Sequence, residues 1–219
     1  MRTVEEASKL IRDFVTAFRC NGVTGQVTLG TANPFASSFY FSTYLTRKGT
    51  NGNFQTIFAK RDSYAANGMM FSMAMDATTG AINLDTVTSF VPWGYVPTVD
   101  RKTHLAWVHD KVLNRDKLYV DGELYSNQSV SILGTKTNAL ISLGACQNPG
   151  TDILNGDLDD SVIGIGTPPT DKEIYQLFSK GIKPGELWAY LKYDVQNGSI
   201  VKDSSGKGNN GVKIGGSYI

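Results

Sequence analysis

The stretch that most constrains this chain is THLAWVHDKVLNRDKLYVDGELY, from Thr103 to Tyr125. His104 to Asp110 sets Leu105 and Trp107 alternately with Ala106 and Val108, a sheet-like run with few breakers. Lys117 to Val120 leads into Asp121-Gly122, a pair suited to a type I′ turn because both central residues must tolerate positive φ. Glu123, Leu124 and Tyr125 return as the partner strand. A hairpin written this plainly biases the chain towards antiparallel sheet.

Period-two runs elsewhere agree. Ala17 to Cys20, Gln26 to Leu29, Ser38 to Leu45, Phe54 to Lys60, Gly68 to Asp76, Ala139 to Gly144 and Leu158 to Gly166 read as strands between glycine or asparagine turns. Met69, Phe71, Met73 and Met75 form one apolar stripe, which at strand spacing reads as core. Leu187 to Asp194 and Ser199 to Ile214 return to strand character. Two helices interrupt the pattern. Thr3 to Glu6 reads as a capping box opening an amphipathic helix through Leu10, Ile11, Phe14 and Val15, and Thr170 to Glu173 opens a shorter one that Gly181 ends. With 219 residues, 41% of them hydrophobic, the chain is large enough for one all-β domain with a substantial core.

Charge is balanced at 21 basic against 20 acidic side chains, so no long-range field favours nucleic acid or an anionic membrane. No segment approaches the ~18 apolar residues of a membrane span. Glu5, Glu6, Lys9, Arg12 and Asp13 break up the N-terminus where a secretory leader needs an apolar core. An extracellular place is therefore expected only within a virion or for an excised domain. Cys20 and Cys146 are too few for a disulfide scaffold and read as buried thiols.

Several segments, in order, carry a family likeness: AFRCNGVTGQVTLG at Ala17 to Gly30, SFYFSTYLT at Ser38 to Thr46, NFQTIFAK at Asn53 to Lys60, the hairpin, and NGDLDDSVIGIGTPPTDKEIYQLF at Asn155 to Phe178. Together they resemble the laminin-G-like branch of the concanavalin A-like lectin/glucanase superfamily. The resemblance implies a jelly-roll β-sandwich of two antiparallel sheets. It also exposes a displacement, because LWAYLKYDVQNGSIVKDSSGKGNNGVKIGG at Leu187 to Gly216 looks like the segment that normally begins such a domain. The organisation expected is a helix over residues 1–16, a sandwich over 17–181, and C-terminal strands over 182–219. Those strands complete the sandwich in a permuted order, exchange with another protomer, or belong to a neighbouring domain.

Glycosidases of that superfamily use closely spaced carboxylates on one strand, as in a Glu-x-Asp-x-x-Glu run. The five glutamates, Glu5, Glu6, Glu123, Glu173 and Glu186, form no such run. His104 and His109 fall on opposite faces of a strand, which separates them as partners in metal or acid–base work. Gly22-x-x-Gly25 and Gly206-x-Gly208 lack the following helix that a phosphate cradle needs. No catalytic constellation emerges.

Binding candidates are clearer. In proteins this chain resembles, a structural calcium often links the first-strand region to an aspartate at the start of the closing strand, here Asp159. The displaced segment would add Asp203 and Asn209, oxygen ligands of the type calcium prefers; alternatively Asp203 and Asn209 cap their own turn. Sugar binding calls for exposed aromatic faces. Trp93 and Tyr95, in a loop bracketed by Pro92 and Pro97, come first and Tyr64 second, whereas Trp107 and Trp188 read as core. The expected function is a non-catalytic recognition or adhesion module for a glycan or cell-surface ligand. A structural virion protein, self-associating or assembled with other virion proteins, is the alternative, and a glycoside hydrolase is a second.

Overall fold

A computed structural model describes residues 17–65, 67–86, 90–129, 133–147, 150–194 and 198–219. The helix expected over residues 1–16 lies outside them. One sheet contains β1 (Phe18–Asn21), β3 (Phe39–Arg47), β8 (Lys102–Asp110), β9 (Arg115–Val120), β10 (Glu123–Ser129), β12 (Asn155–Ile165), β13 (Glu186–Leu191) and β16 (Ser217–Tyr218). The other contains β2 (Gln26–Thr28), β4 (Gln55–Arg61), β5 (Met69–Met75), β6 (Ile82–Asp85), β7 (Phe90–Pro92), β11 (Ile141–Leu143), β14 (Ile200–Val201) and β15 (Gly211–Ile214). The orders are β10-β9-β8-β3-β12-β1-β16, with β13 also on β12, and β14-β15-β2-β11-β4-β5-β6-β7. All pairings are antiparallel, and the two sheets stack as a jelly-roll β-sandwich.

Alternation decides what each sheet buries. Phe41 and Leu45 of β3, Phe58 of β4, Phe71 and Met73 of β5 and Trp107 of β8 meet in the core, where Phe41 stacks on Phe58 at 4.2 Å. Burying such side chains is worth roughly 1.5–3 kcal/mol each, the main favourable term in the fold. Asp121 and Gly122 take φ of 49° and 84°, as the type I′ turn requires. Gly122 also lies against the Phe178 ring, so a side chain there would push the helix off the hairpin.

That helix, α1 (Asp171–Lys180), begins at the expected capping box: Thr170 accepts from the Glu173 backbone while Glu173 accepts from that of Thr170. Gly181 ends it in the left-handed conformation. Through Ile174 and Leu177 the helix packs on the outer face of the first sheet, forming a second small core with Tyr40, Ala106, Val108, Tyr119, Val162 and Tyr190. The C-terminal strands pair within the chain: β13 with β12, β15 with β2 and β16 with β1.

Candidate functional site

The outer face of the second sheet carries a hollow of about 330 Å³. It forms because Ser72 and Ala74 on β5 point away from the core that Phe71, Met73 and Met75 fill, and are too small to cover the sheet. Asn83 and Asp85 stand opposite them on β6, Ala74 against Asn83 and Ser72 against Asp85. Phe90 lies beside Asp85 on β7, and Phe54 enters from the start of β4. Arg61 and Asp152 complete the floor, joined by an ion pair of 3.2 Å.

Three aromatic rings ring this floor. Tyr64 is 69% exposed, and Phe54 and Phe90 are about half exposed. Tyr64 is held upright: its hydroxyl donates to Asp85 Oδ2 at 2.6 Å, and the Arg61 guanidinium lies 4.8 Å from its ring centre. The hydrogen bond to Asp85 is the main reason the phenol titrates above its ordinary value. Arg61 is buried, and among the described residues its Nε has no hydrogen-bond partner. A rim of apolar rings around a few fixed polar groups is the ordinary make-up of a small-ligand site.

The other aromatic candidates lie elsewhere. The expectation that Trp93 presents an exposed face is corrected: it is only 4% exposed and packs 6.1 Å from Trp107 in the core. The proline-rich stretch hides strand β7, and Trp93 continues the inward parity of Val91. Pro92 is tolerated because β7 is an edge strand. Tyr95 is half-buried against Tyr125 at 5.1 Å and reaches neither Tyr64 nor its hollow. The sequence pattern does not single out Phe54 and Arg61, at the two ends of a strand it does mark, nor Asp85 and Phe90, which lie on the short strands β6 and β7 that it does not mark. The Tyr64 loop was the available signal.

Asp159, Asp203 and Asn209 each have protein partners. Asp203 Oδ1 accepts from the backbone of Tyr190 and Ser205, and Oδ2 from the Ser205 hydroxyl and the Asn209 backbone. Burial opposes its ionisation, yet the Ser205, Tyr190 and Asn209 bonds outweigh that and hold the carboxyl below its usual range. The side chain of Asn209 donates to the Trp188 carbonyl, and Asp159 Oδ2 pairs with Lys102 at 2.6 Å. Both Asp203 oxygens and one Asp159 oxygen are thus already engaged by protein donors. Among the described residues no three His, Cys, Asp or Glu side chains could hold a metal together. The capping reading of Asp203 and Asn209 describes what they do.

Cys20 and Cys146 are free, buried thiols. His104 and His109 do face opposite ways: His109 binds Asp116 beside Trp107, whereas His104 lies under α1. Among the described residues no helix is long and apolar enough to cross a membrane.

The class these features define is a jelly-roll β-sandwich of two antiparallel sheets with one helix among the described residues. No family model and no curated protein matches the chain. Solved structures do. A Bacteroides ovatus protein, provisionally described as carbohydrate binding, superposes with a TM-score of 0.72 at 15% identity, covering 94% of this chain and 59% of its own. Domain 4 of AbnA, a GH43 extracellular arabinanase from Geobacillus stearothermophilus solved with arabinotriose, gives 0.52 at 16% identity over 68% of this chain and 70% of its own. A heptameric SAP-like pentraxin from Limulus polyphemus gives 0.55 at 16%, over 78% and 85%. At these identities the likeness is one of fold. The chain spans 59% of the length of the Bacteroides protein.

Proposed function

We propose that this protein is a non-catalytic carbohydrate-binding module, of laminin-G-like type, that holds a neutral oligosaccharide in the hollow around Tyr64. The observation that carries the reading is the three exposed rings of Tyr64, Phe54 and Phe90 set around buried Arg61 and Asn83. Sugar rings offer C–H faces to aromatic rings and hydroxyls to the polar floor. One guanidinium against the two carboxylates of Asp85 and Asp152 disfavours an acidic sugar here. The carbohydrate-binding description of the Bacteroides protein and the arabinotriose complex of the arabinanase domain support the same reading.

Absence of catalysis is part of the proposal. A glycosidase acid needs a carboxyl kept protonated in apolar surroundings. Asp152 is instead ion-paired with Arg61, and Asp85 accepts the Tyr64 hydroxyl. The deciding experiment is a neutral-glycan array with wild type and Tyr64→Ala. Weaker binding by a well-folded variant supports the site; equal binding by both places the ligand elsewhere. We also read residues 182–219 as the permuted completion of this sandwich, so cutting after Gly185 should leave an aggregating chain. A soluble, monomeric 1–185 fragment with the heat resistance of the whole chain would contradict that.

A further inference from the structure

The opposite sheet has a hollow of its own, of about 390 Å³, between its outer face and the C-terminal end of α1. A β-bulge creates its chemistry. Asp159 and Val162 are three residues apart in β12 and would ordinarily face opposite ways. Register slips by one between Asp159 opposite Tyr44 and Val162 opposite Ser42, with Asp160 in the left-handed region at φ 48°. Both side chains therefore face the helix. Asp159 is only 3% exposed, and its Oδ1 has no hydrogen-bond partner among the described residues. Burial is the main reason its carboxyl titrates above the usual range, with Lys102 acting the other way.

Across β3, His104 is 1% exposed. Its Nε2 lies 2.8 Å from the Ser42 hydroxyl, and its Nδ1 has no partner among the described residues. A neutral imidazole donates through one nitrogen and accepts through the other, and serine can fill either role. Leaving such buried groups unmatched costs free energy that a bound partner would recover. Ser72 and Asn83, by contrast, form the floor of a hollow that sugar rings would cap from outside.

Charge says what kind of partner. Lys102, Lys180 and Lys183 line this hollow against the carboxylates of Asp159 and Asp160, with His104 neutral because burial pushes it down to about 4. Lys102 is paired with Asp159, and Asp160 accepts the Tyr190 hydroxyl at 2.8 Å. Lys183 lies 4.1 Å from the centre of the Tyr190 ring, while Lys180 has no acidic partner among the described residues. The carbonyls at the helix end, which repel anions, are partly neutralised: Tyr44 donates to Phe178 and Lys183 to Gly181. Leu177 and Phe178 supply an apolar wall.

We propose that this hollow is a second ligand site, for a monosaccharide-sized hydroxy acid. The carboxylate meets Lys180 and Lys183 at the mouth, and hydroxyls, able both to donate and to accept, satisfy Asp159 Oδ1 and His104 Nδ1 at the floor. The volume matches a ligand of that size. The site is on the opposite sheet from Tyr64 and stands whether or not the aromatic hollow binds sugar.

The test uses the full chain with D-gluconate as probe, and D-glucose and inorganic phosphate as controls. Gluconate should bind and shift the His104 ring resonances, with affinity falling about tenfold in the Lys180→Gln/Lys183→Gln double variant. Lys180 is exposed and Lys183 half-buried over the Tyr190 ring, so a circular dichroism melt checks that the double variant folds, and Lys180→Gln alone should weaken gluconate in the same direction. Glucose, which lacks the carboxylate, should bind at least about tenfold more weakly. The proposal is overturned if gluconate leaves the His104 resonances in place, or if the double variant binds it as well as wild type. Phosphate producing the same shift at the same affinity also overturns it, since cations alone would then suffice.

Discussion

The outer faces of the two sheets use the same sandwich in opposite ways. On the second sheet, small residues in the middle of β5 leave a shallow floor that exposed rings surround. On the first, a bulge and a capped helix hold buried polar groups at the floor of a hollow. One face presents exposed rings over the Arg61–Asp152 ion pair and the Tyr64–Asp85 hydrogen bond; the other, among the described residues, leaves Asp159 Oδ1 and His104 Nδ1 without partners beneath its hollow. The comparison teaches that exposed rings and buried orphans are separate signals of a site, and that they select different ligand chemistry.

The largest expected effect tests which aromatics belong to a site at all. Trp93→Ala should destabilise the fold by about 3–5 kcal/mol, because a buried indole leaves a cavity. Equilibrium urea unfolding measures this. A loss near zero with weakened glycan binding would return Trp93 to the ligand surface.

Next comes acid sensitivity, which the comparison assigns to the helix-covered face. The folded value of His104, about 4, lies below its unfolded value of 6.5. Between these the unfolded chain binds the extra proton, so stability from this group is whole above pH 6.5 and is lost as pH falls towards 4. The loss is about 3 kcal/mol. Asp159, whose carboxyl is raised, acts in the opposite sense over the acidic range. The clean measurement is therefore the difference in unfolding free energy between wild type and His104→Phe at pH 7 and pH 4. A difference that does not change with pH would show that the imidazole is not buried neutral.

On the aromatic face the expected change is in binding and not in folding. Tyr64→Ala should weaken a neutral oligosaccharide by about 1 kcal/mol, roughly fivefold, with stability within about 0.5 kcal/mol of wild type. Calorimetric titration against an array hit, alongside a thermal melt, separates the two. The smallest effect concerns calcium: melts in EDTA and in excess calcium should superimpose, because Asp203 already accepts four protein donors. A calcium-dependent rise lost in Asp159→Ala would revive the metal site.

Much of the fold was legible because its signals are local. The Asp121-Gly122 turn needs positive φ at two adjacent residues, and few dipeptides allow it. The Thr170 capping box binds its own next turn, so spacing alone reveals it. The methionine stripe on β5 is buried, since period two repeats whatever the neighbouring strand is. The candidate sites were less legible. Tyr64 could be singled out as a loop aromatic, but its partners Asp85 and Phe90 belong to strands disguised by short length and proline.

What the residues determined by themselves is therefore the sandwich: alternation, turn chemistry and caps act within a few positions and leave little choice. What tertiary structure decided is which surface residues meet. A strand's face is set by parity, and one inserted residue at Asp160 reverses parity for everything beyond it, bringing Asp159 and Val162 to the same side. Trp93 shows the same rule from the other direction. Its proline-flanked neighbourhood reads as exposed loop, but pairing of β7 with β6 carries it inward to Trp107, where burial of a large apolar ring outweighs any local preference for the surface.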